Sequence, residues 1–309
     1  MVSVLLAAYN GAAFLPQQLA SLRAQRNVDF RVLWQDDGSP DGTRGMLDAI
    51  TVTDGRFHPG SHPGPRLGAA GNFLSLLRQD DAPYTALCDQ DDLWQPDKLC
   101  RCLAAMQAAE KKYGSDIPLL VHHDCRLVDA AGYLLHASFF KHQGWDAQAN
   151  TLPRLLVQNN VTGCSILMNA ALRRLVADHA DAKALFMHDW FIALTAAAFG
   201  RIIFVDEPLI DYRQHGGNVL GASNHGLFRR GLSALGKPAR AKERIRLTYR
   251  QARVFREAFG DSLPDKAAAQ VEGYLAIEKL PKLRRMRALK QGGYLMQSRM
   301  TRMGQYIFT

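Results

Sequence analysis

The sequence predicts an α/β protein with a doubly wound, mostly parallel sheet flanked by helices and a basic helical extension at the carboxyl end. Three observations support this. Short apolar runs alternate with helical periodicities over the first 120 residues, the order expected of strands joined by crossover helices. Each apolar run stops at a polar loop. A chain of 309 residues, 47% of them hydrophobic and 22% charged, is long enough to bury a large core.

In the first 120 residues, continuous apolar runs indicate buried strands, and apolar residues at helical spacing indicate helices. The first run ends at Tyr9-Asn10-Gly11, a turn-forming triplet. The fourth helix begins with a proline, which the first turn of a helix tolerates. In chain order, the predicted elements are strand Ser3–Ala8, helix Phe14–Gln25, strand Phe30–Gln35, helix Thr43–Ile50, helix Gly68–Leu77, strand Tyr84–Cys88 and helix Pro96–Lys111.

The same two patterns continue to about residue 222, after which long basic helical segments replace the alternation. The predicted elements before that point are strand Leu119–His122, strand Ser165–Asn169, helix Leu172–His179, helix Asp189–Ala198 and strand Ile202–Asp206. Those after it are the helices Ala241–Phe259, Asp265–Lys279 and Lys282–Lys290.

The net charge of +9 is unevenly spread along the chain. Residues 1–224 sum to −4, whereas residues 225–309 sum to +13. Such a basic segment favours a polyanionic neighbour, either an acidic lipid surface or a nucleic acid. The alternatives are a solvated helical face and a contact between copies in a homo-oligomer. Because no nucleic-acid module or regular aromatic interleaving is present, we expect no nucleic-acid partner.

Cysteine usage and hydropathy indicate the compartment. The five cysteines are odd in number and form no C-x-x-C pair, which is typical of reduced thiols in a cytosolic protein. No apolar run approaches 18 residues, and the amino terminus has no basic region before its apolar run. We therefore predict a cytoplasmic protein, with peripheral attachment to the inner face of the cell membrane as a role for the basic segment.

Two acidic loops follow predicted strands. Asp89, Asp91 and Asp92 come directly after the strand that ends at Cys88, and Asp36 and Asp37 follow the second strand. Clustered carboxylates repel each other unless solvent or a cation compensates them, and hard divalent cations prefer such oxygens. The simpler interpretation is an acidic turn that caps the next helix, with Asx turns in the second loop.

Loops after neighbouring parallel strands open at one edge of the sheet, where ligands of such folds bind. The loop with Tyr9 and Asn10 and the two acidic loops are therefore expected to meet in one crevice.

Three segments in this order resemble the family 2 inverting glycosyltransferases, whose GT-A fold has a Rossmann-like sheet. They are residues 7–11 (AAYNG), residues 35–43 (QDDGSPDGT) and residues 89–99 (DQDDLWQPDKL). With residues 212–218 (YRQHGGN), the third segment looks most like the rhamnosyltransferase branch. The resemblance covers residues 1–222 and implies a nucleotide-sugar half at 1–120, an acceptor half at 121–222 and a separate basic helical region at 223–309.

The resemblance also implies roles on the donor side. Tyr9 and Asp37 would hold the base, Asp37 by accepting a hydrogen bond from its N3–H. Mg²⁺ or Mn²⁺ would bind Asp91, with Asp89 and His215 as further ligands. The remaining contacts to the nucleotide sugar would come from Asn72, Asp89, Asp92 and Arg213.

On the acceptor side, the resemblance implies that Asp189 is the general base. From its position alone, an acidic residue that opens an apolar helix would be a helix cap. A base must reach the acceptor hydroxyl, and a helix start at the crevice can provide that position. Asp124, Thr162 and Trp190 would line the acceptor pocket.

The resemblance thus implies metal-dependent, inverting transfer of a sugar from a nucleotide diphosphate, with L-rhamnose from dTDP-rhamnose as the first candidate. The acceptor would be a glycan or lipid-linked glycan of a cell-surface polysaccharide. A transferase of the same fold that uses a UDP-hexose is the nearest alternative. A sugar nucleotidyltransferase is a weaker one, because its Gly-rich basic signature is missing, and a non-enzymatic nucleic-acid binder is the third class.

Overall fold

The computed structural model describes residues 1–61, 64–216 and 238–308. Its strands are β1 (Val2–Ala8), β2 (Phe30–Asp36), β3 (Phe57–Pro59), β4 (Tyr84–Asp89), β5 (Leu93–Trp94), β6 (Leu119–Val128), β7 (Leu134–His136), β8 (Leu167–Asn169) and β9 (Arg201–Arg213). Its helices are α1 (Leu15–Arg23), α2 (Thr43–Thr53), α3 (Gly68–Gln79), α4 (Lys98–Tyr113), α5 (Phe139–Gln143), α6 (Leu152–Val157), α7 (Ala170–His179), α8 (His188–Phe199), α9 (Pro238–Phe259), α10 (Asp265–Ile277), α11 (Lys282–Gln291) and α12 (Arg299–Phe308).

The strands form one sheet in the order β3-β2-β1-β4-β8-β6-β9-β5, with β7 paired to β6. The half built from β3, β2, β1 and β4 is parallel, as predicted. Beyond β4 the sheet is mixed: β8 runs antiparallel to β4 and β6, β9 is parallel to β6, and β5 is antiparallel to β9. The α/β prediction is confirmed, with more antiparallel pairing than the alternating pattern indicated.

Strand register brings the predicted loops together. Ala8 at the end of β1 pairs with Asp36 at the end of β2, and Ala7 pairs with Asp89 at the end of β4. The polar loops after these three strands therefore start side by side at one edge of the sheet, which confirms the predicted crevice.

Apolar side chains pack in two layers, one on each face of the sheet. Helices α1, α2 and α4 cover one face. The other face is covered by α3, α6, α7 and α8, and the carboxyl-terminal helices pack onto the same cluster. Burial of large apolar side chains on both faces is the main stabilising contribution in a sheet of this kind.

Helix α8 lies inside this second layer. Its residues His188–Ala196 are all buried, as expected of a helix that is hydrophobic all round. Phe191 packs against Phe255 and Phe259 of α9, with ring centroids 5.6 and 5.8 Å apart. The basic carboxyl-terminal helices therefore share a core with α8.

The predicted basic helices are present as α9, α10 and α11, each within a few residues of its predicted bounds. The predicted boundary at residue 222 lies outside the described residues. Within the described ranges, each helix is too short or too polar to cross a membrane.

Candidate active site

Asp37 is held at the end of β2 by the start of α3. It is 2% exposed, and its two carboxylate oxygens accept hydrogen bonds from the backbone N–H groups of Leu67 and Gly68, each at 2.7 Å. The Arg66 side chain lies 3.8 Å from Oδ2 of Asp37. Hydrogen bonds to the charged form keep a carboxylate in place at a buried strand end. Asp37 therefore anchors the loop before α3 to the rim of the crevice.

Arg66 also connects Asp37 with Tyr9. Its guanidinium lies 3.5 Å from the centroid of the Tyr9 ring, within the range of a cation–π contact. The sequence analysis did not single out Arg66; the available signal was a basic residue directly before the Gly68-Ala69-Ala70-Gly71 segment. The two residues predicted to hold the base are thus joined by a cation suited to a nucleotide.

Gln90 joins the loop after β1 to the acidic turn after β4. The backbone N–H of Tyr9 donates to Oε1 of Gln90, and Nε2 of Gln90 donates to the backbone carbonyl of Tyr9, both at 2.7 Å. A Cβ atom at Gly11 would lie 2.2 Å from Oε1 of Gln90. Gly11 therefore leaves the room that this pair of hydrogen bonds needs.

Asn72, predicted to contact the nucleotide, reaches the strand ends. Its Nδ2 lies 3.4 Å from the carbonyl oxygen of Ala8 and 3.2 Å from that of Gln35. Among the described residues, its buried Oδ1 has no hydrogen-bond partner. Asn72 thus fastens α3 to β1 and β2, and its contact with the nucleotide stays a prediction.

The acidic turn brings three carboxylates together. Asp92 is fully buried and accepts from the backbone N–H of Arg213 at 3.2 Å. Burial and the neighbouring Asp91 and Asp89 raise the pKa of Asp92 well above its usual range. Burial, Asp91 and Asp189 raise the pKa of Asp89 to about 7. A nearby cation would favour the charged forms of both carboxyls.

The residues of this turn fit a divalent cation. One oxygen of Asp89, one oxygen of Asp92 and Sγ of Cys164 lie within 4.8 Å of one another, and Oδ2 of Asp92 has no partner among the described residues. Beside them, Nε2 of His215 lies 2.7 Å from Oδ2 of Asp91. Carboxylate oxygens suit Mg²⁺ and Mn²⁺. The structure thus places Asp92 beside the predicted ligands Asp89, Asp91 and His215, whereas the Cys164 sulfur suits softer metals than these.

Arg213, predicted to bind the nucleotide sugar, is 1% exposed. Its guanidinium donates to protein oxygens on three sides. The acceptors are the carbonyls of Asp91 and Ala130, at 2.9 and 2.7 Å, and Oε1 of Gln17, at 2.5 Å. Arg213 therefore braces the acidic turn against α1 and the turn after β6, and its contact with the donor stays a prediction.

Lys98 is a buried cation beneath the same turn. It is 1% exposed; its Nζ donates to the carbonyl of Cys164 at 3.0 Å and lies 3.0 Å from the centroid of the Trp94 ring. Its charge favours the ionised form of Asp89 and so opposes the rise in the pKa of that carboxyl. The sequence analysis missed Lys98, whose only signal was its place in the acidic segment.

Asp189 lies in the first turn of α8, one residue after the helix begins at His188. Burial raises its pKa to about 7, against the opposing effect of the backbone N–H groups of Trp190 and Gly163. The N–H of Trp190 donates to Oδ1 of Asp189 at 2.5 Å. Because the charge of Asp189 contributes to the raised pKa of Asp89, the two carboxyls lie close enough for their charges to interact. A carboxyl that titrates near neutral pH is suited to general base catalysis.

The three residues predicted on the acceptor side differ in their surroundings. Thr162 directly precedes Gly163, which contacts Asp189. The Asp124 carboxylate accepts from the N–H groups of Phe139 and Phe140 at 3.0 Å and from the Ser138 hydroxyl, so it holds the start of α5. Their acceptor roles stay predictions.

Trp190 is 7% exposed. Its Nε1 donates to the carbonyl of Leu155 at 2.7 Å. The indole thus ties α8 to α6, and its acceptor role also stays a prediction.

Comparison with known proteins identifies relatives of the chain. Residues 3–175 match the family model "Glycosyl transferase family 2". The dTDP-rhamnosyl transferase RfbG of Shigella flexneri is 25% identical over 228 residues, which is 71% of this chain and 74% of that protein. The putative teichuronic acid biosynthesis glycosyltransferase TuaG of Bacillus subtilis is 31% identical over 106 residues, covering 34% of this chain and 42% of TuaG.

Solved structures of glycosyltransferases share the fold. TarS 1–349 of S. aureus in complex with UDP aligns with 99% of this chain and 86% of its own, with a TM-score of 0.58 at 15% identity. The mannosyltransferase PcManGT of Pyrobaculum calidifontis, in complex with GDP-Man and Mn²⁺, aligns with 94% of this chain and 72% of its own, with a TM-score of 0.53 at 16% identity.

These likenesses confirm the GT-A fold that the sequence motifs implied. The family match extends over more than half of the chain and includes the acidic turn and the loops that hold Tyr9 and Asp37. The chain belongs to glycosyl transferase family 2, and it is a glycosyltransferase.

Proposed function

We propose that this enzyme transfers L-rhamnose from dTDP-rhamnose to a hydroxyl group of a glycan, with inversion at the anomeric carbon and with Mg²⁺ or Mn²⁺ bound. The observation that carries the proposal is the buried Asp189 in the first turn of α8, whose charge acts on Asp89 of the acidic turn and whose pKa burial raises to about 7. The similarity to a dTDP-rhamnosyl transferase supports the choice of donor.

The donor half of the crevice would bind the nucleotide. Tyr9 offers a ring face for the base, and Asp37 offers an acceptor for the N3–H of thymine. Arg66, which lies over Tyr9 and beside Asp37, supplies positive charge where the nucleotide enters. Asn72 and Arg213 would contribute through the loops that they hold.

The acidic turn would hold the cation through Asp89, Asp91, Asp92 and His215, with Cys164 beside them. A bound divalent cation supplies charge stabilisation to the departing diphosphate. The chain's own groups prepare this site: Arg213 donates to the carbonyl of Asp91 in the turn, Gln90 joins the turn to the loop of Tyr9, and Lys98 places a positive charge near Asp89.

The acceptor hydroxyl would enter from the side of α8. Asp189 would accept its proton while the oxygen attacks the anomeric carbon on the face opposite the diphosphate. One carboxylate is sufficient for this single displacement, which needs no covalent intermediate. Burial of Asp189 keeps bulk water from the proton that it accepts.

A transferase that uses a UDP-hexose is the second candidate. It would use the same residues, because Tyr9 and Asp37 can hold uracil as well as thymine. The UDP complex of the structural relative TarS favours this candidate. A nucleotidyltransferase would instead release pyrophosphate from a nucleoside triphosphate.

We also propose that residues 1–222 form the catalytic part and that the basic part after them binds the inner face of the cell membrane, where a lipid-linked glycan would be available. Helix α11 supports this with five basic and no acidic residues and with Leu283 82% exposed. Basic residues near an anionic lipid surface contribute about 1 kcal/mol each. Flotation of the full chain with phosphatidylglycerol vesicles, but not with phosphatidylcholine vesicles, would agree with it.

The experiment that tests the donor assignment incubates the enzyme with dTDP-rhamnose, UDP-glucose, UDP-galactose, UDP-N-acetylglucosamine or GDP-mannose. Each donor is assayed with EDTA and with Mn²⁺ or Mg²⁺, and release of the nucleoside diphosphate is measured. We expect metal-dependent release from dTDP-rhamnose alone. Turnover of a UDP-sugar instead would select the second candidate, and release from none of the donors would contradict the proposal.

A further inference from the structure

His188 precedes the proposed base and has no part in the mechanism above. Its side chain is 7% exposed. Among the described residues, its Nε2 has no hydrogen-bond partner. Buried polar atoms are nearly always paired, so an unpaired one calls for a physical reason. A ligand that supplies the missing hydrogen bond is such a reason.

The imidazole ring is held in a defined orientation. It stacks on Phe73 of α3, with ring centroids 4.4 Å apart and an angle of 27° between the planes. Phe73 is itself buried. Because the stack occupies one face of the ring, it fixes the direction in which the edge nitrogens point. Nε2 is therefore positioned by packing, in the manner of a binding group.

Gly163 lies next to Nε2 of His188 and next to Asp189. A Cβ atom at Gly163 would lie 3.3 Å from Nε2 of His188 and 3.9 Å from Oδ2 of Asp189. Both polar atoms thus lie beside Gly163, where any side chain would crowd Nε2. Burial lowers the pKa of His188 to about 4, so the ring is neutral at pH 7 and Nε2 can donate or accept according to its tautomer.

We propose that Nε2 of His188 binds a hydroxyl group of the acceptor sugar, adjacent to the hydroxyl that Asp189 deprotonates. The assignment rests on the proposed glycosyl transfer and defines its acceptor as a sugar with two neighbouring free hydroxyls. One hydroxyl would attack the anomeric carbon, while the other would hold the acceptor sugar in position through a hydrogen bond to His188. Gly163 would provide the room for both.

The test compares His188→Phe with His188→Gln in the full chain. Phenylalanine keeps the stack on Phe73 and removes Nε2, whereas glutamine can return a polar atom near its position. His179→Phe is the matched control: His179 also stacks on a phenylalanine, Phe259, with centroids 4.5 Å apart. Its Nδ1 is hydrogen-bonded to the carbonyl of Leu175 at 3.0 Å.

Kinetics are measured with dTDP-rhamnose and Mn²⁺, using octyl α-L-rhamnoside, octyl β-D-galactoside and octyl β-D-glucoside as acceptor probes. We expect His188→Phe to raise the KM for the acceptor at least tenfold and to change the donor KM less than twofold. His188→Gln should recover part of the loss. Methylation of the neighbouring hydroxyl of the acceptor probe should raise the acceptor KM of wild type and leave that of His188→Phe unchanged.

Thermal stability gives a second readout that needs no acceptor. Removing an unpaired buried nitrogen breaks no hydrogen bond, so the Tm of His188→Phe should be no lower than that of the control His179→Phe. The control His179→Phe loses a hydrogen bond, so its Tm should fall while its acceptor KM stays unchanged.

A Tm for His188→Phe below that of His179→Phe, or an unchanged acceptor KM, would overturn the assignment. If wild type turned over no nucleotide sugar, the proposed function would fail. The Tm comparison would then still decide whether Nε2 is unpaired in the folded chain.

Discussion

Nε2 of His215 and Oδ2 of Asp91 lie 2.7 Å apart, so the residues just after β9 reach back to the acidic turn after β4. This contact links two segments separated by 124 positions in the chain. A histidine in this place can bind the cation itself or orient a carboxylate that does.

His215→Ala should therefore raise the Mn²⁺ concentration for half-maximal activity about 10- to 100-fold, the usual effect of losing a metal ligand's partner. Metal titration of the purified variant measures this. His58→Ala is the control, because His58 is exposed on β3. Its metal titration should match that of wild type. Superimposable curves for His215→Ala and wild type would refute a metal role for His215.

Activity should depend on pH through Asp189. Because the base acts only when ionised and burial raises its pKa to about 7, kcat/KM should fall about tenfold for each pH unit below that value. Asp189→Asn should lower kcat by at least about 10²-fold, the lower end of what general base catalysis contributes. Turnover of Asp189→Asn within a few-fold of wild type would show that another group is the base.

The raised pKa of Asp189 also predicts that the ionisation that activity requires lowers the stability of the fold. The folded state binds the Asp189 proton more tightly than the unfolded chain does, so ionisation of Asp189 destabilises the fold as pH rises from about 4 to about 7. Asp189→Asn should then be more stable than wild type at pH 8, by about 1–4 kcal/mol. Urea denaturation at pH 8 and pH 4 measures the difference, which should shrink at the lower pH. The same difference between variant and wild type at both pH values would contradict it.

Arg66→Ala should weaken donor binding. Loss of the cation over Tyr9 and beside Asp37 should raise the donor KM about 2- to 30-fold, the range of a cation–π contact of about 0.5–2 kcal/mol. Arg44→Ala is the matched control. The Arg44 guanidinium makes the same kind of contact, 5.0 Å from the centroid of the Trp34 ring, and has no proposed contact with the donor. Equal donor KM values for both variants would show that Arg66 does not contribute to donor binding.

Gly11→Ala should destabilise the fold. Its Cβ would lie 2.2 Å from Oε1 of Gln90, so the two hydrogen bonds between Gln90 and Tyr9 must open or shift, at a cost of about 1–3 kcal/mol. Gly45→Ala, in the interior of α2 with no atom within 4 Å of its Cβ, should stabilise by about 0.5–1 kcal/mol. Urea denaturation of both variants tests the pair. Two changes of equal sign would contradict the packing argument.

Much of the fold follows from local pattern. The strands β1, β2 and β4 are continuous apolar runs that stop at polar turns, and their alternation with helices predicts parallel pairing. The direction of β8 could not be predicted, because a strand of three residues fits a parallel or an antiparallel neighbour equally well. The short β3 and β5 carry too few residues for a periodic signal.

The candidate site was predictable where its residues stand in motifs. The acidic turn, Asp37 and Asp189 were predicted in this way. Arg66, Gln90 and Lys98 were missed, because each acts through a partner that is distant in sequence: Tyr9 for two of them and the Cys164 carbonyl for the third. Only the folded chain shows such partners.

Helix α8 is enclosed by the sheet on one side and by Phe255 and Phe259 of α9 on the other. The region after residue 238 therefore cannot be exchanged between relatives as a free module, since a foreign helix would have to match the ring surface of Phe191. A chimera that replaced only this region would misplace the turn that carries Asp189. The chimera would therefore have lower transferase activity even though every residue of the crevice was retained.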